Sequence, residues 1–97
     1  LVSKDEINDI FNLNLTLDLN GKNRQTGNTS LMIFNFNFLI AHLSSYITLM
    51  PGDIITTGTP PGVGLGMNPP QFLKDGDEMH LKVDNLGEQK LKVIKEK

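Results

Sequence analysis

A chain of 97 residues, 38% hydrophobic, with 9 Lys and Arg against 11 Asp and Glu, holds one small domain at most. Its formal net charge of −2 and its one arginine, Arg24, exclude the clustered basic surface that nucleic-acid phosphates require. Without cysteine it has neither a disulfide nor a cysteine metal clip to support a small core, so that core must be efficient or shared.

The apolar stretch Phe38 to Leu43 is far short of a membrane span and contains His42, and no signal peptide is visible. A soluble, cytoplasmic chain with no membrane partner is expected. The chain begins at Leu1 and runs at once into Lys4-Asp5-Glu6, which reads as a cut start.

From Leu13 to Asn20, leucines 13, 15, 17 and 19 alternate with Asn14, Thr16, Asp18 and Asn20, the pattern of a half-buried strand. Asn20-Gly21 supplies the two positive-φ residues of a type I′ turn, so Lys22 to Gln25 should return as an antiparallel partner. That return strand is short and polar, as an edge would be. Met32, Ile33, Phe36, Leu39, Ile40 and Leu43 then take helical spacing. The helix is expected over Phe36 to Tyr46 with Asn35 or Asn37 as its cap, while Leu31 to Phe34 is extended or a separate turn. Met50-Pro51-Gly52-Asp53 forms a tight turn, and Ile54 to Thr57 reads as a short buried strand.

Between Gly58 and Pro70 lie four of the nine glycines and four of the five prolines, which excludes a helix or a central strand. Apolar residues between the glycines of Gly62-Val63-Gly64-Leu65-Gly66 favour an ordered loop over a linker. Lys74-Asp75-Gly76-Asp77 is a turn, followed by strands Glu78 to Asp84 and Glu88 to Ile94 joined around Asn85-Leu86-Gly87. In the first of these strands, His80 and Lys82 face away from Met79, Leu81 and Val83.

Local motifs for catalysis are sparse. There is no cysteine nucleophile, nucleophile elbow, zinc-protease helix, phosphate-binding loop or calcium loop. Asp75 and Asp77 flank a glycine and read as turn residues, and the glycines at 62, 64 and 66 lack both the spacing and the following helix of a dinucleotide site. His42 reads as a helix packing residue, Tyr46 as a packing residue with a polar tip, Ser44 and Ser45 as the helix end, and Arg24-Gln25 as structural. Thr57-Gly58-Thr59-Pro60 differs from these. A strand that stops in a glycine leaves N–H groups unpaired beside a hydroxyl, an arrangement suited to a carboxylate oxygen. The alternative is that Gly58 and the prolines only shape a turn, and local physics leaves both open.

Asn20-Gly21 with Arg24-Gln25, then Thr29, Met32-Ile33-Phe34, Leu39-Ile40 and Ser44, and finally Phe72-Leu73-Lys74-x-Gly76-Asp77 with Leu86-Gly87, together resemble the fumarylacetoacetate hydrolase family. The string Leu49-x-Pro51-Gly52-Asp53-Ile54-Ile55-x-Thr57-Gly58-Thr59-Pro60-x-Gly62-Val63-Gly64 carries most of that likeness. Pro69-Pro70 and Leu86-Gly87-Glu88-Gln89 look like the subgroup of ureidoglycolate lyase and 2-keto-4-pentenoate hydratase.

The resemblance implies an α+β fold, an incomplete mixed β-roll, strand-rich with one main helix. Residues 1–97 would be the C-terminal portion of the catalytic domain. The family's carboxylate metal ligands, which include a Glu-x-Glu pair absent here, and its lysine belong to a region upstream. The resemblance further implies an oxo-acid substrate, a Mg²⁺ or Mn²⁺ (or Ca²⁺) cofactor held outside this chain, a homodimer when intact, and a substrate-carboxylate site at Gly58 and Thr59. No catalytic residue and no metal ligand is assigned within the chain, which alone is expected to be inactive. The rival reading is a non-catalytic binding or structural module that keeps the fold.

Overall fold

A computed structural model describes residues 1–96. Strands β1 (Asn14–Leu19), β2 (Lys22–Asn28), β3 (Glu78–Val83) and β4 (Gly87–Lys92) form an open sheet in the order β2-β1-β3-β4, with one α-helix, α1 (Phe36–Ser44). The class is α+β, and every described strand pairing is antiparallel.

The first hairpin forms where the alternation placed it. Leu19 pairs with Lys22 across Asn20 and Gly21, whose φ angles are 51° and 75°, both in the left-handed region that a type I′ turn requires. β2 extends to Asn28, three residues beyond the expected return strand. Its register shifts: Asp18 pairs with Asn23 but Leu17 pairs with Gln25, leaving Arg24 as an extra residue in a β-bulge.

Cross-strand pairing makes the sheet two-faced. Leu15, Leu17 and Leu19 lie opposite Val83, Leu81 and Met79, and Met79 lies opposite Leu91, which gives one apolar face. On the other face Asp18 aligns with His80 and Lys90, and Thr16 with Lys82 and Glu88. There His80 Nε2 lies 2.7 Å from Glu88 Oε2, and this contact, ahead of the nearby Lys90 charge, holds the Glu88 carboxyl below its ordinary range. His80 is thus half-exposed on the polar face, as the alternation predicts.

α1 begins at Asn35, whose side chain accepts from Phe38 N–H at 2.9 Å. It ends two residues before Tyr46. Phe34, Phe38 and His42 stack at four-residue spacing along one side and Tyr46 meets the His42 ring edge-on, so His42 is a helix residue packed between aromatic rings. Upstream of the helix, Thr29–Leu31 is a separate 3₁₀ turn.

Two expectations change. Ile54 to Thr57 makes no strand, and Ile54 is 90% exposed. β-propensity marks residues that fit a half-buried pleat, but a strand also needs a partner, and no described strand pairs with this segment. The Gly/Pro loop also contains one helical turn, a 3₁₀ turn at Gly64–Gly66, short enough to escape the bar that glycine and proline place on longer helices.

The apolar face is only partly covered. The molecule exposes 8203 Å², against roughly 5500 Å² for a compact monomer of its mass. Leu13, 4% exposed, is the one buried hydrophobic residue among those described.

The Lys74 to Asp77 turn is tied to the first hairpin. Asn20 Nδ2 donates to Asp77 Oδ1 at 2.9 Å, and Lys74 N–H donates to Asp77 Oδ2 at 2.8 Å. These bonds hold the Asp77 carboxyl below the usual carboxylate range, the Asn20 bond contributing most. A depressed folded-state pKa gives stability that is present above the unfolded pKa and lost as pH falls through the folded one. Acid titration of the full-length protein should therefore show destabilisation below about pH 4 that Asp77→Asn reduces. Equal acid sensitivity of the two proteins by urea midpoint would show that this carboxylate plays no such part.

Candidate functional site

The loop from Gly58 to Lys74 folds back over the hairpin end of the apolar face and encloses a cleft of about 760 Å³. Leu17, Leu19 and Met79 form its floor; Val63, Leu65 and Phe72 form much of its outer wall. Arg24 enters from the bulge. Its Nε is buried without a hydrogen-bond partner, and Nη1 reaches only Met67 Sδ at 3.6 Å. Asp77 and Lys74 stand at the same cleft.

Three contacts seat the loop on β2. Gly27 presents no side chain to Pro60, and a Cβ there would come within 2.6 Å of the ring. Gly62, at φ 109°, lies against the Arg24 carbonyl with no room for a side chain. Between them Gln25 Nε2 donates to Thr59 Oγ1 at 2.8 Å and to the Pro60 carbonyl at 2.7 Å. An ordered loop, as its composition predicts, is thus held by hydrogen bonding and close packing.

Gly58 and Thr59 are both exposed and neither lines the cleft. Gly58 has φ 91°, and neither its N–H nor that of Thr59 has a hydrogen-bond acceptor among the described residues. The anticipated strand before them is absent, yet its consequence, free donors beside a hydroxyl, remains. Glycine permits the turn without a steric penalty, and the two N–H groups are left without a protein partner among the described residues.

Gln25 and the bulge are what sequence reasoning missed. Gln25 lies 34 residues from Thr59, and its polar strand carries no local sign of the contact. Asp75 and Asp77 prove to be turn residues: Asp75 Oδ1 accepts from Lys95 N–H at 2.9 Å, and Asp77 is taken up as described. Among the described residues no three His, Cys, Asp or Glu side chains converge as a metal site would require. The residues present do not fit a divalent cation. No helix among them is long and apolar enough to cross a membrane.

Comparison with known proteins extends this description. A family model for the C-terminal region of fumarylacetoacetate hydrolase matches residues 1–94. A Burkholderia lata protein with a provisional hydrolase name is 54% identical over 90 residues, covering 92% of this chain and 32% of that protein. The fumarylacetoacetate hydrolase of Exiguobacterium antarcticum superposes with a TM-score of 0.92 at 36% identity, over 98% of this chain and 34% of that one. Maleylpyruvate hydrolase from Sphingobium sp. SYK-6, in complex with manganese(II) and pyruvate, gives a TM-score of 0.89 at 36% identity, over 100% of this chain and 34% of that one. The chain thus spans about a third of the length of the proteins it matches. With the family model covering nearly its whole length and its fold superposing on solved members, the chain belongs to the fumarylacetoacetate hydrolase family.

Proposed function

We propose that this chain is the C-terminal portion of the catalytic domain of an enzyme that acts on 2-oxo or 1,3-diketo acids, by carbon–carbon cleavage or keto–enol chemistry. Its Gly58-Thr59 turn binds the substrate carboxylate. The observation that carries the reading is the pair of unpartnered N–H groups beside the Thr59 hydroxyl, on a loop seated by Gln25 and Pro60. Family membership supports it, as does the pyruvate in the maleylpyruvate hydrolase complex, since pyruvate is itself a 2-oxo acid.

In this reading the turn orients and does not transfer protons. Thr59 is bonded to an amide and to no titratable side chain. Charge-assisted hydrogen bonds from N–H and O–H groups fix one end of the acid and so place its carbonyl for reaction with groups outside this chain. The Mg²⁺ or Mn²⁺ that belongs to the proposal has its ligands outside this chain.

Replacing Thr59 with Ala in the full-length enzyme removes one such bond, about 1.5 to 3 kcal/mol, and should lower kcat/KM roughly 10- to 100-fold. Steady-state kinetics with an acylpyruvate test it. An unchanged kcat/KM ends the carboxylate assignment, while a folded wild-type protein with no turnover of any oxo acid supports the non-catalytic module instead.

A further inference from the structure

We infer that Gln25 is a positioning residue that sets the polarity of the Thr59 hydroxyl, so that its proton points to the substrate carboxylate. The inference rests on the carboxylate-binding role proposed for Thr59 and deepens it.

The chemistry of the contacts fixes their direction. The Gln25 amide group meets two oxygens through one atom, Thr59 Oγ1 at 2.8 Å and the Pro60 carbonyl at 2.7 Å. A carbonyl oxygen can only accept, so the atom against it must be the amide nitrogen, with one N–H for each oxygen. Thr59 Oγ1 therefore accepts from Gln25. Its single proton must point away from the amide, and it has no other acceptor among the described residues. A hydroxyl that already accepts is polarised into a better donor, and one of its competing rotamers is removed before any ligand arrives.

The backbone holds Gln25 to this task. The Arg24 bulge shifts the register so that Gln25 lies opposite Leu17, on the face the loop covers. Two residues on, bare Gly27 lets Pro60 settle onto the strand and brings the Pro60 carbonyl within reach. Glutamate has nearly the same shape but would offer only acceptors. It would repel the Pro60 carbonyl and capture the Thr59 proton.

The test uses the full-length enzyme with Mn²⁺ present. Calorimetric pyruvate affinity, and kcat and KM with an acylpyruvate, are compared for Gln25→Met, Gln25→Glu, Thr59→Ala and the double variant Gln25→Met/Thr59→Ala. Gln25→Met should weaken pyruvate binding roughly tenfold and raise KM more than it lowers kcat; Gln25→Glu should weaken binding several-fold further. In the Thr59→Ala background Gln25→Met should add almost nothing, because the hydroxyl it orients is gone.

Additive effects, or a Gln25→Glu protein that binds better than Gln25→Met, would overturn the inference while leaving the role of Thr59 intact. Should Gln25→Met fail to fold, the comparison of the near-isosteric Gln25→Glu with wild type decides it, and wild-type affinity there overturns it. Thr59→Ala binding pyruvate as well as wild type does would remove the carboxylate reading and this inference together.

Discussion

Gly62→Ala is expected to destabilise the full-length protein by roughly 3 to 5 kcal/mol, because the position carries two independent faults for any side chain. At φ 109° an L-residue is strained whatever the space around it, and the added Cβ would also run into the Arg24 carbonyl oxygen. That oxygen belongs to strand backbone, so it cannot swing aside as a flexible side chain could. Relief requires the loop to lift from β2, which would pull Thr59 and Pro60 away from Gln25. A lost stability measured by urea unfolding should therefore be matched by weaker oxo-acid binding in whatever protein remains folded. Gly66→Ala is the natural control. Its φ is unexceptional and its nearest new contact, Val63 at 3.7 Å, is ordinary packing. If both variants unfold at the wild-type midpoint, the loop is not seated as described.

The second large effect is expected at Leu13. It is the one buried hydrophobic side chain among the described residues, and it sits where the segment leading into β1 is fastened to Thr29 at the end of β2. Leu13 N–H donates to Thr29 Oγ1 at 2.9 Å, Thr29 N–H donates to the Leu13 carbonyl at 3.0 Å, and Thr29 Oγ1 donates to the Ile10 carbonyl at 2.8 Å. Truncation to Ala loses the transfer free energy of the removed methyl groups and leaves a cavity that this hydrogen-bonded node resists closing. The cost should be about 2 to 4 kcal/mol. Leu81→Ala, on the same face but 37% exposed, should cost less. Urea midpoints of the two full-length variants provide the comparison, and equal losses would show that Leu13 holds no special place.

Elements set by neighbouring residues were legible in the chain. The type I′ turn, the Asn35 cap, the Met50 to Asp53 and Lys74 to Asp77 turns and the second hairpin all depend on interactions within a few positions. Ile54 to Thr57 has the sequence of a strand and forms none, because a strand is a relation between segments and its residues supply only half of it. The site divided in the same way. The donor chemistry of Gly58 and Thr59 is local, whereas Gln25 has the sequence of an ordinary strand residue. Without the bulge, Arg24 would stand opposite Leu17 and Gln25 would turn to the polar face, since one residue of shift exchanges the two faces of a strand.

By itself, then, the amino-acid order determined the family, the α+β class, the hairpins and the extent of the Gly/Pro loop, because each rests on short-range patterns or on a long specific string. Only the tertiary structure decided that the loop lies on β2, that Gly27 and Gly62 are bare to admit it, and that Gln25 donates to Thr59. Those depend on a bulge whose placement local propensity does not encode and on contacts between residues more than thirty positions apart.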